Sequence, residues 1–162
     1  MPDLPVDLAA FHMEDVTTLL ERESALLLSR CRQQKHPSAV LLAGQPGAGK
    51  TELSTMLVSQ LKGGAAFLNG DDYRRYHPNY RRLYSEYGSD SVQMTSAFSS
   101  TVIEQLIEVL SDHHLNLVVE GTGRTVDVPR NTAEMLAAKG YSVEMAVIAA
   151  RPEVSLISTL RR

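Results

Sequence analysis

The sequence predicts an α/β fold, a parallel sheet of four or five strands with helices on both faces. Three observations carry that expectation. Apolar runs of strand length recur at residues 39–43, 65–68, 115–119 and 143–149, and the first is continuous enough for a strand buried on both faces. Segments of helical period lie between the runs, which makes βαβ units and right-handed crossovers. Directly after the first run, Gly44-Gln45-Pro46-Gly47-Ala48-Gly49-Lys50-Thr51 matches the phosphate-loop pattern, in the strand, loop, helix order that such a loop requires.

Residues 1–12 hold Pro2 and Pro5 with little periodicity and read as an extended lead-in. Across 13–31, Val16, Leu19, Leu20, Leu26, Leu27 and Leu28 recur at helical spacing with Glu14, Glu21 and Glu23 opposite, which suits a helix packed on the outside of the sheet. Pro37 marks the loop before the first strand. After the phosphate loop, Leu53, Met56, Leu57 and Leu61 give the next helix its apolar face, and Gly63-Gly64 stops it. The second run ends in Asn69-Gly70-Asp71-Asp72, so two carboxylates stand at a strand's C-terminal end, the edge where open α/β sheets bind ligands. Residues 73–87 form the one local basic patch: Arg74, Arg75, Arg81 and Arg82 alternate with tyrosines around His77-Pro78-Asn79. Phe98, Val102, Leu106, Val109 and Leu110 then line one face of a long helix. The third run closes in Glu120-Gly121-Thr122-Gly123-Arg124. Pro129 suits the first turn of a helix that Lys139-Gly140 ends, and Pro152 opens a last one.

Composition narrows the function classes. At 162 residues the chain is one domain's worth, residues 1–162, with a helix at 13–31 ahead of a phosphate-loop core at 39–162. A formal charge of −3 gives no global attraction to nucleic acid or to an anionic membrane, so either partner would need a local patch. No apolar run approaches the ~20 residues of a membrane span. The N-terminus lacks the basic-then-apolar order of a signal peptide, so a cytoplasmic address is expected. The one cysteine, Cys31, has no disulfide partner and suggests no zinc site. The five histidines show no metal-ligand spacing.

Glycines in the loop let backbone N–H groups turn inward on a phosphate, and the following helix N-terminus adds partial positive charge. Lys50 then reaches the β/γ-phosphates of a nucleotide such as ATP, and the Thr51 hydroxyl supplies one ligand to Mg²⁺. The loop alone specifies a nucleotide and leaves the reaction open. An acid at the second strand end favours phosphoryl transfer to an alcohol, since the hydroxyl proton needs an acceptor. Asp71 and Asp72 both qualify, and an N-cap role competes for either. Glu120 stands where an acid near the metal is common, yet Thr122-Gly123-Arg124 beside it reads as a substrate-facing loop. A nucleic-acid-binding ATPase using residues 73–87 is a rival from another class, as is another small-molecule phosphotransferase on the same core.

Taken together, the loop at 44–51, Asn69-Gly70-Asp71, His77-Pro78-Asn79 and Glu120-Gly121-Thr122-Gly123-Arg124-Thr125 with Asp127-Val128-Pro129 resemble the zeta toxin family, its PezT-type members included. The likeness runs from the first long helix to Arg162. It implies a P-loop kinase-like core and a toxin of a bacterial toxin–antitoxin pair. Such toxins use ATP or GTP with Mg²⁺ to phosphorylate the 3′-hydroxyl of the amino sugar in UDP-N-acetylglucosamine, which blocks cell-wall synthesis, and a helical antitoxin covers the nucleotide site. Position by position, the resemblance makes Asp71 the base and leaves Asp72 a neighbour in keeping with an N-cap. It makes Lys50 the phosphate lysine and Glu104, Glu120, Thr122, Arg124 and Thr132 the substrate-holding set. Arg162 matches the first of two arginines that clamp the transferring phosphate.

The second clamp arginine belongs to a segment beyond this sequence, so the resemblance implies a C-terminally truncated core. Losing one donor aimed at developing charge commonly costs ~10²–10³ in rate. The expectation from sequence is therefore a zeta-type kinase that is weak or inactive in this form.

Overall fold

The computed structural model describes residues 6–121 and 126–151. Among them, four strands form one parallel sheet: β1 (Ser38–Gly44), β2 (Ala66–Asn69), β3 (Leu117–Gly121) and β4 (Ser142–Ile148), in the order β2-β3-β1-β4. The helices are α1 (Val6–Ala9), α2 (Met13–Arg30), α3 (Lys50–Gln60), α4 (Gly70–Tyr73), α5 (Tyr80–Tyr87), α6 (Ser91–Met94), α7 (Ser96–Asp112) and α8 (Asp127–Ala138). The predicted α/β architecture is thus observed, with each strand within two residues of its apolar run. The expected last helix from Pro152 lies outside the described residues.

Strand β1 is central, and that explains its unbroken apolar run. Val40 is level with Val118 on one side and Glu144 on the other, and every residue from Ala39 to Ala43 is buried. Side chains of a strand alternate between faces. Ala39, Leu117, Ala66 and Leu68 turn to one face, where Val16 and Leu19 of α2, Phe98, Val102 and Leu106 of α7 and Leu136 of α8 form the main core. Val40 and Val118 turn to the other and pack against Leu57, Val58 and Leu61. Helix α3 therefore covers one face while α2, α7 and α8 cover the opposite one.

That division sets the binding edge. From β1 the chain runs through α3 to β2, and from β3 through α8 to β4, so neighbouring strands β1 and β3 send their chains to opposite faces and in opposite directions along the sheet. A crevice opens between their C-terminal ends, the switch point at which α/β sheets take ligands.

Three local expectations are corrected. The lead-in is not simply extended: α1 forms a turn, and residues 8–11 are clamped to the core. Asn79 Nδ2 donates to Leu8 O at 3.1 Å, and His77 Nε2 lies 3.2 Å from Ala9 O. His77 Nδ1 accepts from Asn79 N–H at 3.1 Å, so Nε2 carries the hydrogen that Ala9 O accepts. The His77 ring stands edge-on to Phe11 and Phe98, which makes His77-Pro78-Asn79 a fastening for the N-terminal segment. The face of α3 is rotated from the expected one. Met56 is 47% exposed and Ser54 is buried, because the sheet meets Leu57 and Val58. In α7, Ile107 is buried where Val109 was expected.

A polar residue ties the strands' N-terminal ends together. Buried Asn116 accepts from Ser38 N–H at 2.9 Å and donates through Nδ2 to Lys62 O at 2.9 Å and Gly64 O at 3.3 Å. One side chain thus fastens the start of β1 and the turn before β2 to the start of β3. Among the described residues, no helix is long and apolar enough to cross a membrane.

Candidate functional site

The glycine loop leaves β1 at Gly44 and enters α3 at Lys50. Gly47 and Gly49 have φ of 74° and 93°, the left-handed region that glycine adopts without steric cost. At Gly44 a side chain is excluded by space: a Cβ there would stand 2.6 Å from both Cγ2 and the carbonyl oxygen of Ile148 at the end of β4. Glycine is thus favoured at three points of the loop, the pattern an anion cradle uses.

Lys50 Nζ donates to Gly44 O at 2.7 Å and Gln45 O at 3.1 Å, and Glu120 Oε1 lies 3.9 Å away. Both side chains are largely buried, Lys50 at 14% and Glu120 at 15% exposure. The ammonium is thus held at the loop mouth, with Glu120 brought to it because β3 lies beside β1. Gln45 takes a role that spacing did not reveal: its Nε2 donates to Ala150 O at 2.7 Å, tying the loop to the chain that follows β4.

At the end of β2, the Asn69 side chain caps α4 by accepting from Asp71 N–H at 3.0 Å. This corrects the N-cap assigned to Asp72, which lies within the helix. The cap position goes to Asn69 because it is the last extended residue before the turn, φ −129° and ψ 120°. Asp71 then presents a carboxylate that is 74% exposed, paired at 2.8 Å with Arg74 Nε.

These groups converge on one cavity of about 720 Å³, a size typical of small-ligand sites. Gly44, Gln45, Pro46, Gly47, Lys50 and Thr51 line its loop side, and Asn69, Gly70, Asp71 and Arg74 its β2 side. Glu104 of α7, Thr132 of α8 and Glu120 complete it. Ala48 and Gly49 shape the turn instead, with Ala48 N–H donating to Gln45 O at 3.2 Å. Of the predicted site residues, Lys50, Thr51, Asp71, Glu104, Glu120 and Thr132 are thus brought together, while Thr122, Arg124 and Arg162 lie outside the described residues. A smaller recess between Glu104, Asn131 and Thr132 adjoins the same helices. Arg74 is the cavity residue that sequence reasoning left among the patch arginines; its spacing of three from Asp71 was the available signal.

The cradle fits a nucleotide's phosphates, and Thr51 offers the hydroxyl oxygen that Mg²⁺ accepts as ligand. Among the described residues no group of three His, Cys, Asp or Glu could hold a metal, and Mg²⁺ carried on phosphates needs only one or two protein ligands.

The remaining candidates separate from the site. Arg82 pairs with Glu86 at 2.7 Å, and the Arg22 and Arg75 guanidinium groups stand 4.7 and 5.0 Å from the Tyr76 ring centre. Much of the basic patch is therefore engaged within the chain. Burial pushes the Cys31 thiol up, against the pull of Arg30, which leaves it less thiolate and a poor nucleophile at neutral pH.

Comparison with known proteins gives a consistent likeness. The family model described as Zeta toxin matches residues 23–162. Toxin PezT of Streptococcus pneumoniae serotype 4 is 46% identical over 131 residues, 81% of this chain and 52% of that protein. Toxin zeta of Streptococcus pyogenes is 42% identical over 126 residues, 78% and 44% of the two chains. The chain thus spans about half the length of the curated relatives it matches. A solved structure from the characterisation of the PezAT chromosomal toxin–antitoxin system of Streptococcus pneumoniae superposes with a TM-score of 0.89 at 40% identity, covering 94% of this chain and 64% of that one. The AvrRxo1-ORF1:-ORF2 structure with ATP, at 20% identity and a TM-score of 0.63 over 97% and 52% of the two chains, shares the fold.

Proposed function

This chain belongs to the zeta toxin family, and from that premise we propose that it is the kinase of a toxin–antitoxin pair, transferring the γ-phosphate of ATP or GTP to the 3′-hydroxyl of UDP-N-acetylglucosamine. The observation that supports this reading best is the meeting of Lys50, Thr51, Asp71, Glu104, Glu120 and Thr132 in one cavity. The nucleotide supplies the phosphoryl group, and Mg²⁺ neutralises its charge.

The chain's own residues divide the remaining work. Loop amides and Lys50 hold the phosphates, and Thr51 takes one position on the metal. Asp71, exposed at the cavity wall, accepts the proton of the attacking hydroxyl. Glu104 and Thr132 stand on the facing helices α7 and α8 and grip the sugar nucleotide; Thr122 and Arg124 extend that grip, and Arg162 joins Lys50 on the transferring phosphate. A helical antitoxin would silence the site by covering the nucleotide cradle. Phosphoryl transfer requires little covalent chemistry from the protein, so positioning of this kind supplies most of the rate.

The test is an assay of purified chain with ATP, Mg²⁺ and a panel of sugar nucleotides, nucleosides and other alcohols, read by mass spectrometry and ADP release. Phosphorylated UDP-N-acetylglucosamine is the expected product, formed at the low rate expected of this form. Transfer to a different acceptor would leave a phosphotransferase and remove the proposed substrate.

A further inference from the structure

Arg74 follows α4 directly and opens a 3-10 turn, Arg74–Tyr76. Its Nε donates to Asp71 Oδ1 at 2.8 Å and its Nη1 to the carbonyl of Val92 in α6. One guanidinium therefore joins the acid at the end of β2 to a segment that comes 18 residues after Arg74 itself. The arginine side chain is 19% exposed and the carboxylate 74%, so Arg74 is anchored and Asp71 is presented.

Two readings compete for this pair. As an ordinary ion pair on a helix surface it would contribute little and hold no particular geometry. The Val92 bond argues against that reading. A planar fork fixed to a backbone carbonyl cannot swing freely, so the Nε–H that meets Asp71 has a set direction. The backbone that carries the acid is fixed as well, since Asp71 N–H donates to Asn69 Oδ1 at 3.0 Å. With one oxygen taken by Arg74, the second is left for a ligand in the cavity that both residues line.

We propose that Arg74 is a positioning residue: it orients the Asp71 carboxylate toward the acceptor hydroxyl and couples that orientation to α6. The consequence for rate rests on the kinase reading, whereas the tether itself does not. Misplacing a reacting group by about 1 Å costs ~10²-fold, and without Arg74 no side chain among the described residues is seen to hold the carboxylate in place.

The experiment combines kinetics of the wild-type, R74A and R74K chains with ¹⁵N NMR of arginine Nε–H groups in the wild type and D71A. R74A is expected to lower kcat about 10- to 100-fold, with acceptor KM, ATP Kd and melting temperature little changed. R74K should recover part of the loss, because one ammonium cannot span both partners. An R74A chain as fast as the wild type, or one whose loss falls on KM or Kd, overturns the proposal. A wild-type chain that transfers phosphate to no acceptor, not even at the low rate expected of this form, sinks the kinase reading alone. The tether is then decided by the Arg74 Nε–H resonance, which should exchange slowly with water in the wild type and rapidly in D71A; equal exchange in both would overturn it.

Discussion

At the residue scale, Lys50 and Asp71 divide binding from chemistry. The Lys50 ammonium hydrogen-bonds two loop carbonyls at the mouth of the cradle, so its loss affects any phosphate that enters. Asp71 lies across the cavity at the end of β2. Lys50→Ala is expected to weaken ATP binding by tenfold or more and to abolish transfer. Asp71→Ala should abolish transfer with ATP affinity within about threefold of wild type, as titration calorimetry would show. Equal loss of nucleotide affinity in both would make Asp71 a metal or structural residue. Gly44 carries a separate prediction. Because a Cβ there meets Ile148 at 2.6 Å, Gly44→Ala should destabilise the fold by about 1–3 kcal/mol, the usual range for overpacking, and displace the loop. Thermal unfolding checks the first part and ATP titration the second. The glycine pattern was legible from spacing alone. The Gln45 bond to Ala150 was not, since its partner lies 105 residues away.

Elements were legible where their pattern was strong. β1 announced itself because a central strand buries both faces and so carries no polar alternation. Helix α3 was placed correctly but turned wrongly: its small buried residue, Ser54, and its exposed Met56 run against the apolar periodicity by which a face is read. Asn116 shows the opposite limit. In sequence it is a polar residue beside an apolar run, yet in the fold it joins three segments by three hydrogen bonds. Asn116→Ala would leave the Ser38 N–H and two carbonyls without that partner, and a buried group so orphaned costs about 1–3 kcal/mol. A fall in the urea midpoint with an unchanged slope is the expected result; no fall would mean that water replaces the amide at no cost.

On the scale of the whole molecule, the N-terminal segment is held to the core through a titratable group. Burial lowers the His77 pKa from its ordinary 6.5, against smaller upward pulls from the Ala9 carbonyl bond and from Asp15. The neutral ring is the form that fits, with Nδ1 accepting from Asn79 N–H, and a proton on Nδ1 would face that N–H. The unfolded chain therefore takes up the proton first. Stability from this clasp is complete above pH 6.5 and drains as pH falls from there through the folded value. Protection against hydrogen exchange at residues 8–11, corrected for the intrinsic pH dependence of amide exchange, should fall from pH 7.5 to pH 5 in the wild type, and less so in His77→Gln. Equal protection at the two pH values would show that His77 does not titrate in this range.

Short-range patterns determined the α/β class, the phosphate cradle and the acids at two strand ends, because hydrophobic period, glycine spacing and strand-end position are properties of neighbours in the chain. Tertiary structure alone decided the order β2-β3-β1-β4. That order seats Glu120 by Lys50, while the packing of the helical segments around the sheet turns the His77 motif into a clasp for the lead-in and lets Arg74 hold Asp71 and the Val92 carbonyl together. Apart from the local Arg74–Asp71 pair, these contacts join residues far apart in sequence, and they exist because packing two helix layers on one sheet brings those residues to the same place.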